Sequence, residues 1–235
     1  MEQPRQKIYL VHAGHVSMPA AHASFAALWP QAPILDLMEG SLAHDVGQDG
    51  GLTPAMFRRF ELLGDYCVAA GATAILFTCS AFGEAIERVK RQHAIPILTP
   101  NEALFEEVLG RGDRVALLST FEPTVTALKQ ELGQMELATG RKAEIDYFII
   151  PRALDALFAG DKATHDQLVL DQIDAVSRLG YGALVFGQFT MSLVAPAARE
   201  RTTLPILTTP DCAVRKLRRV LEGQAIARSR QSLRP

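Results

Sequence analysis

The feature that most constrains this chain is that it repeats itself. Moving the first half along by 109 positions lays Asp65 on Asp174, Gly71 on Gly180, Ala74 on Ala183 and Phe77 on Phe186. No gap is needed up to "PILT" at 96–99, which falls on "PILT" at 205–208. The opening strands match at a shift of 107, where "IYLVHA" lies over "VALLST". Ungapped agreement over two apolar runs and their flanks makes chance similarity between buried strands a poor explanation. The halves read as one duplicated α/β unit.

Within each copy, short apolar β-type runs alternate with helical patterns. Strands are predicted at 7–13, 33–38, 73–78 and 95–100, then at 114–120, 144–150, 182–187 and 204–209. A helix over 53–70 has Thr53 as its cap, Pro54 in its first position and Gly71 where a left-handed residue ends it. Further helices are predicted from Cys79 to about His93, at 101–110, at 122–136, at 165–179 behind a Thr164/Gln167 capping box, after strand 182–187, and at 211–222. Buried strands alternating with helices imply parallel sheets. The predicted fold is α/β: two similar lobes, each a parallel sheet flanked by helices, related by a pseudo-twofold, with the active site in the inter-lobe cleft. Residues 1–102 form the first lobe, completed by the C-terminal helix 211–222. Residues 103–210 form the second, and 223–235 a flexible tail starting at Gly223.

Composition sets the outer bounds. A chain of 235 residues, 48% hydrophobic, can bury one large core or two modest ones. With 24 Lys and Arg against 26 Asp and Glu, nothing marks a nucleic-acid partner. The basic residues from Arg215 to Arg234 read as a solvated helix face and tail. No apolar run approaches the roughly 20 residues of a membrane span, and "MEQPRQK" lacks the apolar centre of a signal peptide. Three cysteines at wide spacings make neither a disulfide framework nor a CxxC metal site, so a reducing cytoplasm is the simplest compartment. No strand leads into GxGxxG or GxxxxGK[ST].

Ligands of open α/β sheets bind beyond the carboxyl ends of the strands. Those ends carry "HAGHVSM" (12–18), "CSAFG" (79–83), "STFEPT" (119–124) and "QFTMS" (188–192). Cys79 sits where a strand ends and a helix starts, a place whose free N–H groups favour a thiolate. The repeat gives Gln188 the equivalent place in the second half. Ser80, Ser119, Thr120 and, more weakly, Thr190 can bind a carboxylate with hydroxyls and backbone N–H groups, or can simply cap helices. His12 and His15 titrate near neutrality and are either a base in the cleft or polar surface. No spacing supports a metal site built from them with Cys79. Cys67 reads as core, and Cys212, which pairs with Ala103 under the repeat, as structural. Phe82, Phe121, Phe189 and Met191 mark an apolar substrate if they face the cleft, and say nothing of it if they pack inward. Glu122 is the clearest fixed charge there, with Asp45 and Asp49 in a nearby loop, and no arginine obviously serves a carboxylate.

The duplicated lobes, the "TCSAFG" segment after the third strand and its counterpart "FGQFTMS" resemble the aspartate/glutamate/hydantoin racemase superfamily, which includes maleate isomerases and arylmalonate decarboxylases. The resemblance covers nearly the whole chain. It implies proton transfer at the α-carbon of a small carboxylate, without metal or organic cofactor. In the racemases each of the two segments carries a cysteine, one thiolate removing the proton and the opposite thiol returning one. This sequence keeps the first, Cys79, and has Gln188 at the second. A neutral amide donates hydrogen bonds but is no base near neutral pH. The superfamily implies a racemase or isomerase with Cys79 and Gln188 in its site and Ser80, Ser119, Thr120, Thr190 and His12 around the substrate. One-sided protonation equally suits a decarboxylase of malonate-type acids. The arylmalonate decarboxylases use their single cysteine at the second position, so the product would have the opposite sense, and Phe121 stands where they carry a tyrosine. The lost thiol also allows a catalytically silent carboxylate binder. Similar proteins are usually homodimers.

Overall fold

The computed structural model describes residues 6–232, with side chains described to residue 227. Two four-stranded sheets, all parallel, form in sequence. The first holds β1 (Ile8–His12), β2 (Ile34–Met38), β3 (Ala74–Phe77) and β4 (Ile97–Leu98) in the order β2-β1-β3-β4. The second holds β5 (Val115–Ser119), β6 (Ile145–Ile149), β7 (Ala183–Phe186) and β8 (Ile206–Thr208) in the order β6-β5-β7-β8. The repeat extends to register: Ile8 pairs with Ile34 and Ala74, and Val115 with Ile145 and Ala183. The inner strands β3, β5 and β7 are buried throughout, because parallel crossovers place helices on the sheet faces.

The helices are α1 (Met18–Leu28), α2 (Leu42–Asp49), α3 (Pro54–Ala69), α4 (Gly83–Gln92), α5 (Glu102–Arg111), α6 (Glu122–Thr139), α7 (Ala153–Phe158), α8 (Lys162–Val176), α9 (Ala195–Arg201) and α10 (Thr209–Ser232). Thr53 does cap α3, accepting from Met56 N–H, and Gly71 and Gly180 take equivalent left-handed conformations at φ 85° and 78°. Three helices escape the pattern reading: α1, α2 and α7. Alanine-rich α1 has a weak apolar face, and α2 and α7 are only 8 and 6 residues long. Helix α8 starts three residues before the predicted 165, since Asp161 rather than Thr164 is its cap and accepts from Thr164 N–H at 3.0 Å. The predicted tail from Gly223 is corrected too. Helix α10 runs through Gly223 to Ser232, and good helix formers such as Gln224 and Ala225 follow the glycine.

The chain divides into two compact units, one holding residues up to Pro100 and those from Asp211 on, the other Asn101–Pro210. Helix α5, which follows β4, therefore belongs to the second unit, while α10 from Asp211 belongs to the first. Within the first unit, Ser24 donates to Asp211 at 2.6 Å, the Arg218 guanidinium donates to Leu28 O, and Cys212, Val214 and Leu217 are fully buried. The first core is built around Phe60, whose ring lies 5.5 Å from that of Phe77 and 4.9 Å from that of Phe82. The second gathers Leu118, Val169, Ile173, Phe186 and Met191. Burying each such side chain stabilises the fold by about 1.5–3 kcal/mol. Among the described residues, no helix is long and apolar enough to cross a membrane.

Candidate functional site

In the first unit, β3 ends at Phe77, and Thr78 and Cys79 follow it at the carboxyl edge of the sheet. Cys79 is half-buried, whereas Cys67 and Cys212 are fully buried. It packs with His12, Leu42, Phe60, Phe77 and Phe82 around a gap too narrow to admit a water molecule. The helix expected to start at Cys79 begins instead as a single 3-10 turn, Ser80–Phe82, and α4 starts only at Gly83. Burial pushes the Cys79 thiol up, and the Ala81 N–H that reaches the sulfur only partly offsets this. The expectation of a helix-stabilised thiolate is therefore corrected: the resting group is a thiol, the form that donates a proton. Ser80 is half-exposed, and its hydroxyl makes no hydrogen bond among the described residues.

His12 is not at an open surface. Its ring is fully buried, and both nitrogens are engaged. Nε2 lies 3.0 Å from Asp36 Oδ1, and Nδ1 lies 2.9 Å from Thr78 Oγ1 and 3.2 Å from Ser17 Oγ. Asp36 also takes the exposed His22 Nε2 at 2.9 Å. A carboxylate can only accept, so Nε2 carries the hydrogen and Nδ1 accepts from a hydroxyl. Burial holds His12 below the ordinary imidazole value, with Asp36 pulling the other way. Burial alone would raise Asp36, but the hydrogen bonds from His22 and His12 outweigh it and hold the carboxyl below its usual range. His12 thus ties the end of β1 to the residue preceding Cys79; it does not offer a free nitrogen to a ligand. His15 is exposed on the next turn. The network was not foreseen from sequence, although an aspartate inside the apolar run "ILDLM" is a signal that a polar partner lies nearby.

In the second unit, Gln188 reaches from the end of β7 across to the end of neighbouring β5. Its Oε1 accepts from Thr120 N–H at 2.7 Å, from Thr120 Oγ1 at 2.9 Å and from Ser119 Oγ at 3.2 Å. A backbone N–H only donates, which fixes the oxygen of the amide on this side and turns the NH₂ away. That NH₂ has no partner among the described residues. Ser119 is fully buried and Thr120 nearly so, so the donors expected to meet a carboxylate are already occupied by Gln188. The half-exposed Thr190 opens a 3-10 turn, Thr190–Val194, and its hydroxyl makes no hydrogen bond among the described residues. Phe82, Phe189 and Met191 are buried, so they say nothing of substrate polarity, while Phe121 is 45% exposed. Asp45 is bound to Arg59. Among the described residues, no group of three or more His, Cys, Asp or Glu is placed to hold a metal ion.

No protein-family model and no curated protein sequence matches the chain. Solved structures do. An allantoin racemase from Klebsiella pneumoniae superposes with a TM-score of 0.70 at 16% identity, over 92% of this chain and 88% of that one. An aspartate racemase homologue from Pyrococcus horikoshii gives 0.68 at 15% identity, over 92% and 98%. A glutamate racemase from Bacillus anthracis gives 0.66 at 12% identity, over 95% and 84%. The chain shares its fold with these allantoin, aspartate and glutamate racemase structures.

Proposed function

We propose that this protein is a cofactor-independent enzyme of racemase/isomerase type that transfers a proton at the α-carbon of a small carboxylate, with Cys79 as the acid–base group. The observation that carries the reading is Cys79 itself. It stands at the carboxyl end of an inner strand, and it is the cysteine of the three that is not fully buried. The fold, shared with aspartate, glutamate and allantoin racemases, supports the same reading. Ser80, next to Cys79 and with an uncommitted hydroxyl, is a hydrogen-bond partner for that carboxylate, and in the second unit the Thr190 hydroxyl and the Gln188 NH₂ are left free to donate to a carboxylate or carbonyl oxygen.

A second reading, decarboxylation of a malonate-type acid, is favoured by the state of Gln188. Its oxygen is committed to three donors, leaving an amide that donates and cannot remove a proton. Protonation is then one-sided. The C–C bond to the departing CO₂ breaks, its electron pair passes into an enediolate held by hydrogen-bond donors, and the Cys79 S–H proton goes to the carbon. Water returns a proton to the thiolate.

The test is turnover of a panel of aspartate, glutamate, allantoin and substituted malonates in D₂O, followed by NMR. Exchange or CO₂ loss should appear for one class and fall at least about 100-fold in Cys79→Ser, the scale of a lost acid–base group. Gln188→Cys should create or raise racemising exchange. Turnover that survives Cys79→Ser undiminished refutes the assignment, and tight binding with no chemistry on any member identifies a silent binder.

A further inference from the structure

The knot of hydrogen bonds around His12 accommodates two protonation states. With the ring neutral, Nε2–H donates to Asp36 Oδ1 at 3.0 Å, Thr78 Oγ1 donates to Nδ1 at 2.9 Å, and Ser17 Oγ donates to Thr78 Oγ1 at 2.8 Å. A second proton, on Nδ1, reverses the direction. Nδ1–H then donates to Thr78 Oγ1, the Thr78 hydroxyl turns to Ser17 Oγ, and the Ser17 hydroxyl turns to Gly14 O at 3.2 Å. Every hydrogen finds an acceptor in both states, because a hydroxyl donates, accepts and rotates. A histidine that served packing alone would need only one of them. Asp36, on the other side of the ring, is the counter-charge that a buried imidazolium requires, and through Asp36 and the exposed His22 the knot reaches solvent.

The same residue borders Cys79. His12 closes β1, Cys79 follows the neighbouring strand β3, and both line the one narrow gap that excludes water. Thr78, between β3 and Cys79, is held by His12 through its hydroxyl and by Val11 O through its N–H at 3.1 Å. A charge on the ring is therefore felt at the sulfur across apolar side chains rather than across water, where it would be screened. Among the described residues, the titratable or charged groups facing His12 are Asp36 from β2, His22 from α1 and Cys79 itself; Ser17 and Thr78 are neutral, and the other walls of the gap are apolar. We propose that His12 is a positioning residue that acts through Cys79: its second proton sets a cation across the gap from the sulfur and favours the thiolate. Linkage makes the effect reciprocal, so the thiolate left when Cys79 has given its proton to carbon in turn favours the imidazolium. The inference rests on the role proposed for Cys79 and adds to it a proton-linked partner within the same unit.

The reactivity of Cys79 toward iodoacetamide reads this out without a substrate. Labelling of the full chain is followed by mass spectrometry with peptide mapping from about pH 4.5 to about pH 9.5, and circular dichroism at each pH keeps acid unfolding apart from reactivity. For a thiol that titrates alone, the rate below its pKa falls about tenfold per pH unit with the thiolate fraction. In the wild type the rate below about pH 6, where His12 gains its second proton, should exceed the line drawn from about pH 7 to 8 at least threefold. His12→Asn should return Cys79 to the single line. Asp36→Asn keeps an acceptor for Nε2–H but removes the counter-charge, so it should move the excess to lower pH, and it carries the test if His12→Asn does not fold. His22→Gln should keep the excess. A wild type on the single line, an excess that survives His12→Asn or ignores Asp36→Asn, or one lost in His22→Gln overturns the role of His12 and leaves the turnover assays of Cys79 standing. A Cys79 that iodoacetamide never labels overturns the roles of His12 and Cys79 together.

Discussion

Replacing Gln188 by methionine tests the arrangement at the end of β7. Methionine has nearly the same length and volume but no oxygen. Three donors lose their acceptor: Thr120 N–H at 2.7 Å, Thr120 Oγ1 at 2.9 Å and Ser119 Oγ at 3.2 Å. Their fates differ. Ser119 Oγ already lies 3.1 Å from Phe121 O and can settle there, and the Thr120 hydroxyl can rotate. The Thr120 N–H cannot turn, so it is left unpaired in a residue only 7% exposed. An unsatisfied buried donor costs about 1–3 kcal/mol, and because half-exposed Gln188 lets some water in, we expect a loss of about 2 kcal/mol. For a chain of this size that lowers the melting temperature by about 4–8 °C. Gln188→Glu is the counterpart. Its carboxylate accepts the same three bonds with charge assistance, so its stability at pH 7 should equal or exceed that of the wild type. These bonds hold the folded pKa of that glutamate below its unfolded value of about 4.3. The stabilisation is therefore present above that value and lost as pH falls through the folded pKa. Thermal and urea unfolding of the three proteins at pH 7 and pH 4 reads this out. A methionine variant as stable as the wild type, or a glutamate variant as damaged as methionine at pH 7, refutes the bonding pattern.

Phe60→Ala should destabilise the first unit by about 3–5 kcal/mol in urea unfolding, because the ring is 2% exposed and packs at a tilt against Phe77 and Phe82 in the core that Cys79 borders. Acid should act in two windows. Burial depresses the folded pKa of His12, so the unfolded chain takes up that proton first below about pH 6.5, and stability present above that value is lost as pH falls toward the folded pKa. The depressed Asp36 carboxyl adds a second loss, which starts below about pH 4. Melting temperatures measured from pH 8 to pH 3 should show both, and His12→Asn should flatten the first; an unchanged slope in that variant would mean that His12 is not the group responsible.

Much of the fold could be read from sequence because the repeat converted local patterns into a global constraint. Two stretches that agree without gaps over strand, helix and strand must build the same unit, and the shared registers of β1 with β3 and of β5 with β7 are that constraint in three dimensions. Cys79 and Gln188 could be located by the same means, as equivalent positions at equivalent strand ends. The short helices α2 and α7 could not, since six to eight residues carry too little periodicity.

The sequence alone determined the class of fold, the strands, and which residues stand at the carboxyl ends where chemistry can occur. Those properties follow from the spacing of apolar side chains, which is local and periodic. Only the tertiary structure decided what each polar group at those ends is free to do. Asp36 lies 24 residues from His12, and Thr120 lies 68 from Gln188, and no local pattern links them. Their hydrogen bonds exist because neighbouring parallel strands bring distant residues together. Those bonds bury His12, tie up Ser119 and Thr120, and turn Gln188 into a donor, while burial keeps Cys79 a thiol.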